Sequence, residues 1–267
     1  MSRLKNRFEE LAKSGRKALI PFITAGDPNP DFTVPMLHAL VESGADVIEL
    51  GVPFSDPMAD GPVIQRASER ALEHHMGLSK VLKLVAEFRK TDQLTPVVLM
   101  GYLNPIEIMG YEAFANAAQR AEVDGVLTVD LPPEEAEECV ALLKARDISP
   151  IFLLAPNSSP ERIRKIDAVG SGYLYYVSLK GVTGAGHLDT EDVKRKLLEI
   201  RENSNLPIGV GFGVKDAETA KTLSAIADGV VVGSAFIRKI EENLDNPENA
   251  KAEIIALTKS MRQAMDS

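Results

Sequence analysis

The sequence predicts an α/β fold, a (β/α)8 TIM barrel that forms a single domain over residues 1–267. Eight short runs rich in Val, Ile and Leu recur along the chain, and such runs are typical of parallel strands covered on both faces. From residue 18 to residue 228, seven intervals cover 210 residues, so the average is 30, about the length of one βαβ unit. An open, doubly wound sheet is the alternative. No Gly-x-Gly-x-x-Gly turn follows the first run, and the count of eight favours the closed barrel.

The predicted strands and helices alternate along the whole chain. The strands are expected at 18–23, 46–50, 95–100, 125–129, 150–154, 172–177, 206–210 and 228–232. Apolar stripes and N-terminal signals predict helices at 30–43, 79–90, 132–146, from Ser159-Pro160-Glu161 onward, and at 191–202, 216–224 and 250–265. Three extra helices interrupt this order, at 3–14 before strand one, 62–75 after strand two and 234–242 after strand eight.

Composition excludes several classes of function. The chain has 30 Lys and Arg against 39 Asp and Glu, a net charge of −9, and such an acidic chain is a poor nucleic-acid binder. No stretch approaches the ~20 apolar residues of a membrane span, and residues 1–16 lack the apolar core of a signal peptide. Cys139 is the only cysteine, so no intrachain disulfide forms. We therefore expect a soluble, cytoplasmic protein without nucleic-acid or membrane partners.

Two carboxylates near the end of strand two are candidate catalytic groups. Glu49 lies within an apolar run, and loss of hydration should raise its pKa towards the range that is useful for proton transfer. The alternative is a structural carboxylate bonded to a neighbouring strand. Asp60 lies in the loop that follows the same strand and is a plausible second catalytic carboxylate. Asp56, in the same loop, is better explained by turn formation.

Three adjacent loops rich in glycine predict a site for a phosphorylated ligand. They follow strand six at residues 181–186, strand seven at residues 209–213 and strand eight at Gly233-Ser234, where a short helix opens. Barrels commonly hold phosphate with the loops after strands seven and eight and the N-terminus of an extra helix. Tight packing turns at the rim are the alternative explanation.

Apolar residues near the strand ends would suit a flat apolar substrate, although core packing explains any one of them. They are Phe22, Met100, Tyr102, Leu127, Leu153, Tyr175 and Phe212. A metal site is not expected, because none of the four histidines lies at a strand end. Glu49, Asp56 and Asp60 are suited only to Mg²⁺.

Several segments resemble the tryptophan synthase alpha subunit family over nearly the whole chain. They read PFITAGDP at 21–28, ELGVPFSDPMADGP at 49–62, MGYLNP at 100–105, DLP at 130–132, GVTG at 181–184 and GFG at 211–213. One departure is SLKG at 178–181, where some members have Ser-Arg-Ala-Gly. It lies in the loop after strand six and leaves the expected chemistry unaffected.

The resemblance implies a retro-aldol cleavage of indole-3-glycerol phosphate to indole and glyceraldehyde 3-phosphate in L-tryptophan biosynthesis. It implies that Glu49 is the acid–base group, and that Asp60 accepts the indole N–H and stabilises developing positive charge. Thr183 would tether its loop to Asp60 when the site closes. The substrate-binding residues expected on this basis are Phe22, Tyr102, Tyr175, Thr183, Gly184, Phe212, Gly213, Gly233 and Ser234.

The resemblance also implies a partner, the beta subunit, which uses pyridoxal phosphate to condense indole with serine in an α2β2 heterotetramer. No cofactor is implied for this chain, and Asp56, Asn104 and Pro105 are candidate contacts with the partner. Three alternatives stay open. They are a stand-alone lyase that releases free indole, a Schiff-base aldolase that uses Lys180, and a non-catalytic barrel that only binds the partner.

Overall fold

The computed structural model describes residues 2–177, 190–211 and 213–267. Eight parallel strands, in the order of the sequence, close into a barrel, which confirms the predicted (β/α)8 architecture. The strands are β1 (Ala18–Thr24), β2 (Ile48–Gly51), β3 (Val97–Gly101), β4 (Gly125–Thr128), β5 (Ser149–Leu154), β6 (Leu174–Val177), β7 (Ile208–Gly211) and β8 (Gly229–Val232). Every strand begins and ends within two residues of its predicted bounds, because the apolar runs are short and sharply bounded.

Helices surround the barrel, and the extra ones before β1, after β2 and after β8 are present as predicted. In the described residues the helices are α1 (Arg3–Lys13), α2 (Pro30–Glu42), α3 (Pro62–Glu73), α4 (Leu78–Phe88), α5 (Leu103–Met109), α6 (Tyr111–Arg120), α7 (Glu137–Lys144), α8 (Pro160–Val169), α9 (Thr190–Asn203), α10 (Ala217–Ser224), α11 (Ser234–Glu241) and α12 (Pro247–Met265). Over the described ranges, none of them has the length and apolar character to span a bilayer.

Two parts of the helix prediction were wrong. No helix was predicted between β3 and β4, where α5 and α6 lie on either side of Gly110. Helix α5 has only seven residues, and two of the three buried side chains of α6 are alanines, Ala115 and Ala118, which stand out less in the sequence than large aliphatic residues. Helix α7 begins at Glu137 instead of residue 132, because residues 132–135 form a turn in which the Glu135 N–H donates to the Pro132 carbonyl.

Side-chain alternation divides the core into an outer layer and a barrel interior. On β2, Ile48 and Leu50 pack in the outer layer beneath the helices, whereas Val47, directly before β2, belongs to the interior cluster. Helix α1 closes the amino-terminal end of the barrel, and the ring of its Phe8 lies 5.6 Å from the ring of Tyr173. Because that end is closed, a ligand has access to the interior only from the carboxyl-terminal ends of the strands.

A buried ionic cluster fixes the closed end. The Arg89 guanidinium, at the end of α4, lies 2.5 Å from Asp124 and donates to the Glu122 carbonyl oxygen. Asp124 also accepts from the Val97 N–H of β3 and pairs with Arg3 of α1. These bonds tie α1, α4 and β3 to the entry of β4, so the closing helix is anchored by charge as well as by apolar contact.

Arg89→Met should lower the free energy of unfolding by about 3 kcal/mol, because it leaves the Asp124 carboxylate buried with only part of its partners. Urea unfolding followed by far-UV circular dichroism measures the change. The neighbouring Lys90→Met is the control, since Lys90 is exposed and its pair with Glu87 is on the surface. An equal effect of the two substitutions would contradict the structural role of the cluster.

Candidate active site

A cavity opens at the carboxyl-terminal ends of β1 to β4. Its walls combine aromatic and aliphatic groups with a few polar ones, as is typical of small-molecule sites. The lining residues are Phe22, Thr24, Gly51, Val52, Asp60, Ile64, Ser68, Met100, Gly101, Tyr102 and Val129. Phe22, Met100, Tyr102 and Asp60, which the sequence analysis selected from separate segments, therefore come together around one space.

Glu49 lies in the barrel interior, deeper than this cavity. Its strand register places it beside Phe22 of β1 and Val98 of β3, and its side chain is fully buried. The Tyr173 hydroxyl donates to Glu49 Oε1 over 2.9 Å, and among the described residues no donor reaches Oε2. Burial raises the pKa of Glu49 to about 7, against the opposing effect of the Tyr173 hydrogen bond. A carboxyl group with this pKa exchanges protons readily near neutral pH.

Asp60 is held at the rim by Tyr102. The Tyr102 hydroxyl donates to Asp60 Oδ2 over 3.0 Å, and Gln65 Nε2 donates to the Asp60 carbonyl oxygen over 2.9 Å. Burial raises the pKa of Asp60, and the Tyr102 hydrogen bond opposes this rise. The ring of Phe54 stacks on Tyr102 with centroids 5.2 Å apart, so the loop after β2 is fastened to the end of β3.

Tyr175 lies close to both carboxyl groups. Burial raises the pKa of its phenol well above the ordinary value, and the charges of Glu49 and Asp60 add to this effect. The Tyr175 hydroxyl packs directly against the backbone of β7, and a Cβ atom on Gly211 would lie only 2.1 Å from the hydroxyl oxygen. Phe22 crosses Gly51 in the same manner, with its Cζ atom 2.6 Å from the position of a Cβ. Glycine at these two positions therefore makes room for the aromatic walls.

The start of α11 offers a place for an anion on the same side of the barrel. Gly233 is the N-cap residue, and a Cβ there would lie 3.5 Å from Phe22. The first N–H groups of a helix have no acceptor within the helix, and with the helix dipole they favour negative charge. Gly213 has φ +76°, a conformation that favours glycine. The predicted contacts at Thr183, Gly184 and Phe212 lie outside the described residues.

The predicted partner contacts lie on two neighbouring segments near the cavity. Asp56 is exposed in the loop after β2, where its carboxylate accepts a hydrogen bond from the Ser55 hydroxyl and its carbonyl oxygen accepts one from the Met58 N–H. Asn104 and Pro105 lie in the first turn of α5, directly after Tyr102. Within the described ranges, no cluster of three or more His, Cys, Asp or Glu side chains could hold a metal ion.

Three polar side chains of the site, Thr24, Ser68 and Tyr173, were not selected from the sequence. Tyr173 binds Glu49, and the alternation that places Tyr175 in the interior also places Tyr173 there, so the signal was present. Thr24 lines the cavity with a buried hydroxyl that has no partner among the described residues. Since a buried hydroxyl without a partner is costly, the Thr24 hydroxyl is suited to a hydrogen bond with a ligand in the cavity.

The arrangement is suited to proton transfer on a flat, apolar, anionic ligand. Glu49 titrates near neutrality, Asp60 offers a second carboxylate at the rim, and aromatic rings form the walls between them. Gly233, at the N-terminus of α11, lies beside Phe22 and Ile64, which both line the cavity. The two carboxyl groups therefore lie on the same side of the barrel as a helix N-terminus that favours a negative group.

The Glu49→Gln variant should become more stable than the unchanged protein as the pH rises. Folding raises the pKa of Glu49 from 4.5 to about 7, so the unchanged protein loses stability between these pH values, where the folded state has to keep or give up a proton that the unfolded state has already lost. The Gln variant has no such group and does not lose this stability. The advantage of the Gln variant should grow by about 3 kcal/mol from pH 4.5 to pH 8. Urea unfolding at a series of pH values measures it.

Asp92→Asn is the control, because the contribution of Asp92 to stability should depend on pH in the opposite direction. Burial acts to raise the pKa of Asp92, but hydrogen bonds from Thr95 and Leu94 outweigh burial and the pKa lies below its ordinary value. Its contribution to stability is present at neutral pH and is lost as the pH falls below the ordinary Asp range. An advantage of Glu49→Gln that is independent of pH would contradict the raised pKa of Glu49.

Comparison with known proteins identifies the family. A family model described as tryptophan synthase alpha chain matches residues 8–266. A tryptophan synthase alpha chain from Methylococcus capsulatus is 63% identical over 267 residues and is covered, like this chain, to 100%. The crystal structure of tryptophan synthase subunit alpha from Legionella pneumophila has a TM-score of 0.93 and 48% identity, covering 100% of this chain and 99% of that one. A chain of the tryptophan synthase complex from Pyrococcus furiosus has a TM-score of 0.82 and 37% identity, covering 92% and 98%. This chain therefore belongs to the tryptophan synthase alpha chain family, whose known activity is the lyase cleavage of indole-3-glycerol phosphate.

Proposed function

We propose that Glu49 and Asp60 together carry out the retro-aldol cleavage of indole-3-glycerol phosphate to indole and glyceraldehyde 3-phosphate in this chain. The observation that carries the proposal is the fully buried Glu49 carboxyl, whose pKa burial raises to about 7 beside an aromatic cavity. Such a group is protonated often enough to act as an acid and ionised often enough to act as a base.

The reaction requires two proton transfers around one carbon–carbon bond. The indole ring accepts a proton at C3, which leaves positive charge on the ring nitrogen. The hydroxyl on the adjacent side-chain carbon then loses its proton, the bond from that carbon to C3 breaks, and its electron pair returns to the ring. Glu49 donates the first proton and accepts the second. Asp60 accepts the indole N–H and stabilises the charge on nitrogen.

Glu49 has to leave Tyr173 to reach the ligand. In the structure its carboxyl is bonded to the Tyr173 hydroxyl, whereas its strand neighbour Phe22 and the following Gly51 line the cavity. Rotation about the side-chain bonds of Glu49 brings the carboxyl towards C3. This exchanges one hydrogen bond for contacts with the ligand, so substrate binding and the placement of the acid are coupled.

The phosphate of the substrate would bind at the N-terminus of α11. Ser234 and Ala235 are the first residues of that helix, and their N–H groups point out of its N-terminal end. Gly213 and Gly233 permit close approach of backbone to the anion, and Gly184 would join them from the loop after β6.

Glu49→Gln should lower the rate of indole release about 1000-fold, because the amide neither donates nor accepts the transferred proton. Binding of a substrate analogue without hydroxyl groups should stay within a factor of a few. Release of indole from indole-3-glycerol phosphate, followed by absorbance, measures the rate. The control is Glu112→Gln, an exposed carboxylate on α6, which should keep full activity.

Three results would overturn the proposal. Full activity of Glu49→Gln would remove the acid–base role of Glu49. A covalent adduct on Lys180 after borohydride treatment with substrate would instead identify a Schiff-base aldolase. Absence of indole release from the unchanged chain, even with a beta subunit added, would favour a barrel that only binds its partner.

We propose further that the chain binds a beta subunit, which carries the pyridoxal phosphate, in an α2β2 assembly. The Pyrococcus furiosus neighbour comes from a tryptophan synthase complex, which supports a partner of this kind. Two large apolar side chains are exposed beside the predicted contacts, Met58 next to Asp56 at 84% and Ile108 near Asn104 at 80%. Apolar side chains this exposed near a cavity mouth are typical of an interface.

Met58→Glu and Ile108→Glu should each weaken binding of the beta subunit at least about 10-fold, because each places a charge in an apolar contact. Titration of the labelled beta subunit with the variants measures the affinity. Leu94→Glu is the control, because Leu94 is 77% exposed but precedes β3, at the closed end of the barrel. Equal losses in all three variants, or no loss in any, would contradict an interface at this face.

A further inference from the structure

Tyr102 fastens the loop that carries Asp60 to the end of a strand. It directly follows β3, it is only 3% exposed, and its ring lies under the loop formed by residues 52–61. Its hydroxyl lies 3.0 Å from Asp60 Oδ2 and 3.1 Å from the Ala59 nitrogen. One phenol thus contacts two consecutive residues of the loop, one through the backbone and one through the side chain.

The two contacts fix the direction of the Tyr102 proton. The Ala59 N–H donates to the phenol oxygen and takes up one of its lone pairs. The phenol has a single proton, and the remaining partner within reach is the Asp60 carboxylate, which accepts it. Burial raises the pKa of Tyr102, and the charge of Asp60 raises it further, so the hydroxyl stays protonated and remains a donor.

Only one of the two Asp60 carboxylate oxygens accepts a hydrogen bond from the described residues. Tyr102 binds Oδ2, and among the described residues no donor reaches Oδ1. The Asp60 backbone is held separately by Gln65, and the stack of Phe54 on Tyr102 prevents the phenol from turning away. In a carboxylate fixed in this way, the second oxygen has one orientation and faces the cavity that Asp60 and Tyr102 both line.

We infer that Tyr102 is a positioning residue, whose hydroxyl orients the Asp60 carboxylate so that its second oxygen accepts the N–H of the indole ring. This inference rests on the proposed function, in which Asp60 is the acceptor for that N–H. Tyr102 itself transfers no proton in the reaction. Its effect is the placement of a hydrogen-bond acceptor within the narrow angular range that the bond requires.

The test compares two ligands that differ only at the ring N–H. One is 3-(indol-3-yl)propyl phosphate, and the other is its benzothiophene counterpart, in which sulfur replaces the N–H. Tyr102→Phe removes the hydroxyl but keeps the ring that stacks on Phe54. We expect it to weaken binding of the indole ligand about 10-fold and that of the benzothiophene ligand less than about twofold, measured by isothermal titration calorimetry.

Tyr111→Phe is the matched control. It also removes a phenol that donates to a carboxylate, Glu107, but this pair is exposed and lies outside the cavity. It should leave the affinity for both ligands unchanged. Equal weakening of both ligands by Tyr102→Phe would mean that the hydroxyl only maintains the loop, and no weakening of either would mean that Asp60 is oriented without it. Either result overturns the inference.

Asp60→Asn separates this inference from the proposed function. If Asp60→Asn keeps both the preference for the indole ligand and the release of indole, the role of Asp60 is wrong and the inference fails with it. If Asp60→Asn loses the preference while Tyr102→Phe keeps it, the proposed function stands and only the role of Tyr102 is overturned. If both lose it, the double variant should show no further loss, as for two residues that act through one contact.

Discussion

The site depends on a carboxyl group that is removed from water. Glu49 is fully buried, with one hydrogen-bond donor to its carboxyl group among the described residues, and burial is the larger of the two effects on its pKa. This removal from water requires a closed barrel, because a residue in an open sheet would be accessible to solvent along the edges of the sheet. The eight-stranded closure and the helix α1 across its base therefore serve the chemistry directly, since both keep water from Glu49.

The sequence was sufficient to predict the barrel, and it drew attention to Glu49 and Asp60, which the structure places towards the same end of that barrel, for local reasons. Apolar runs of parallel strands have sharp ends, and an acidic residue inside such a run, like Glu49, is conspicuous. The bond from Tyr173 to Glu49 joins residues 124 positions apart and depends on how the strands meet across the barrel, which no local pattern contains. Helices α5 and α6 were missed because α5 is short and contains Pro105, and because the buried face of α6 is built mainly of small alanine side chains.

Asp60 and Glu49 differ in how the chain constrains them. Asp60 stands on a loop, where loss of a single contact would let it drift, yet its backbone is held by Gln65 and its carboxylate by Tyr102. Glu49 stands on a strand, so its backbone is fixed by neighbouring strands and only its side chain is free to move. In the proposed mechanism, the residue that moves, Glu49, therefore lies on a strand, and the residue that stays in place, Asp60, lies on a loop that two hydrogen bonds hold.

The two carboxylates share one type of partner, a tyrosine hydroxyl, with opposite consequences. A phenol is a far weaker acid than a carboxyl group, and burial with a nearby negative charge raises the pKa of Tyr102 and Tyr173 further, so each donates a hydrogen bond without giving up its proton. In the proposed mechanism, the bond between Tyr102 and Asp60 is kept during turnover, whereas the bond between Tyr173 and Glu49 has to break. On this mechanism, the Tyr173 hydroxyl opposes catalysis in the free protein by the strength of one hydrogen bond, and the Tyr102 hydroxyl contributes to substrate binding.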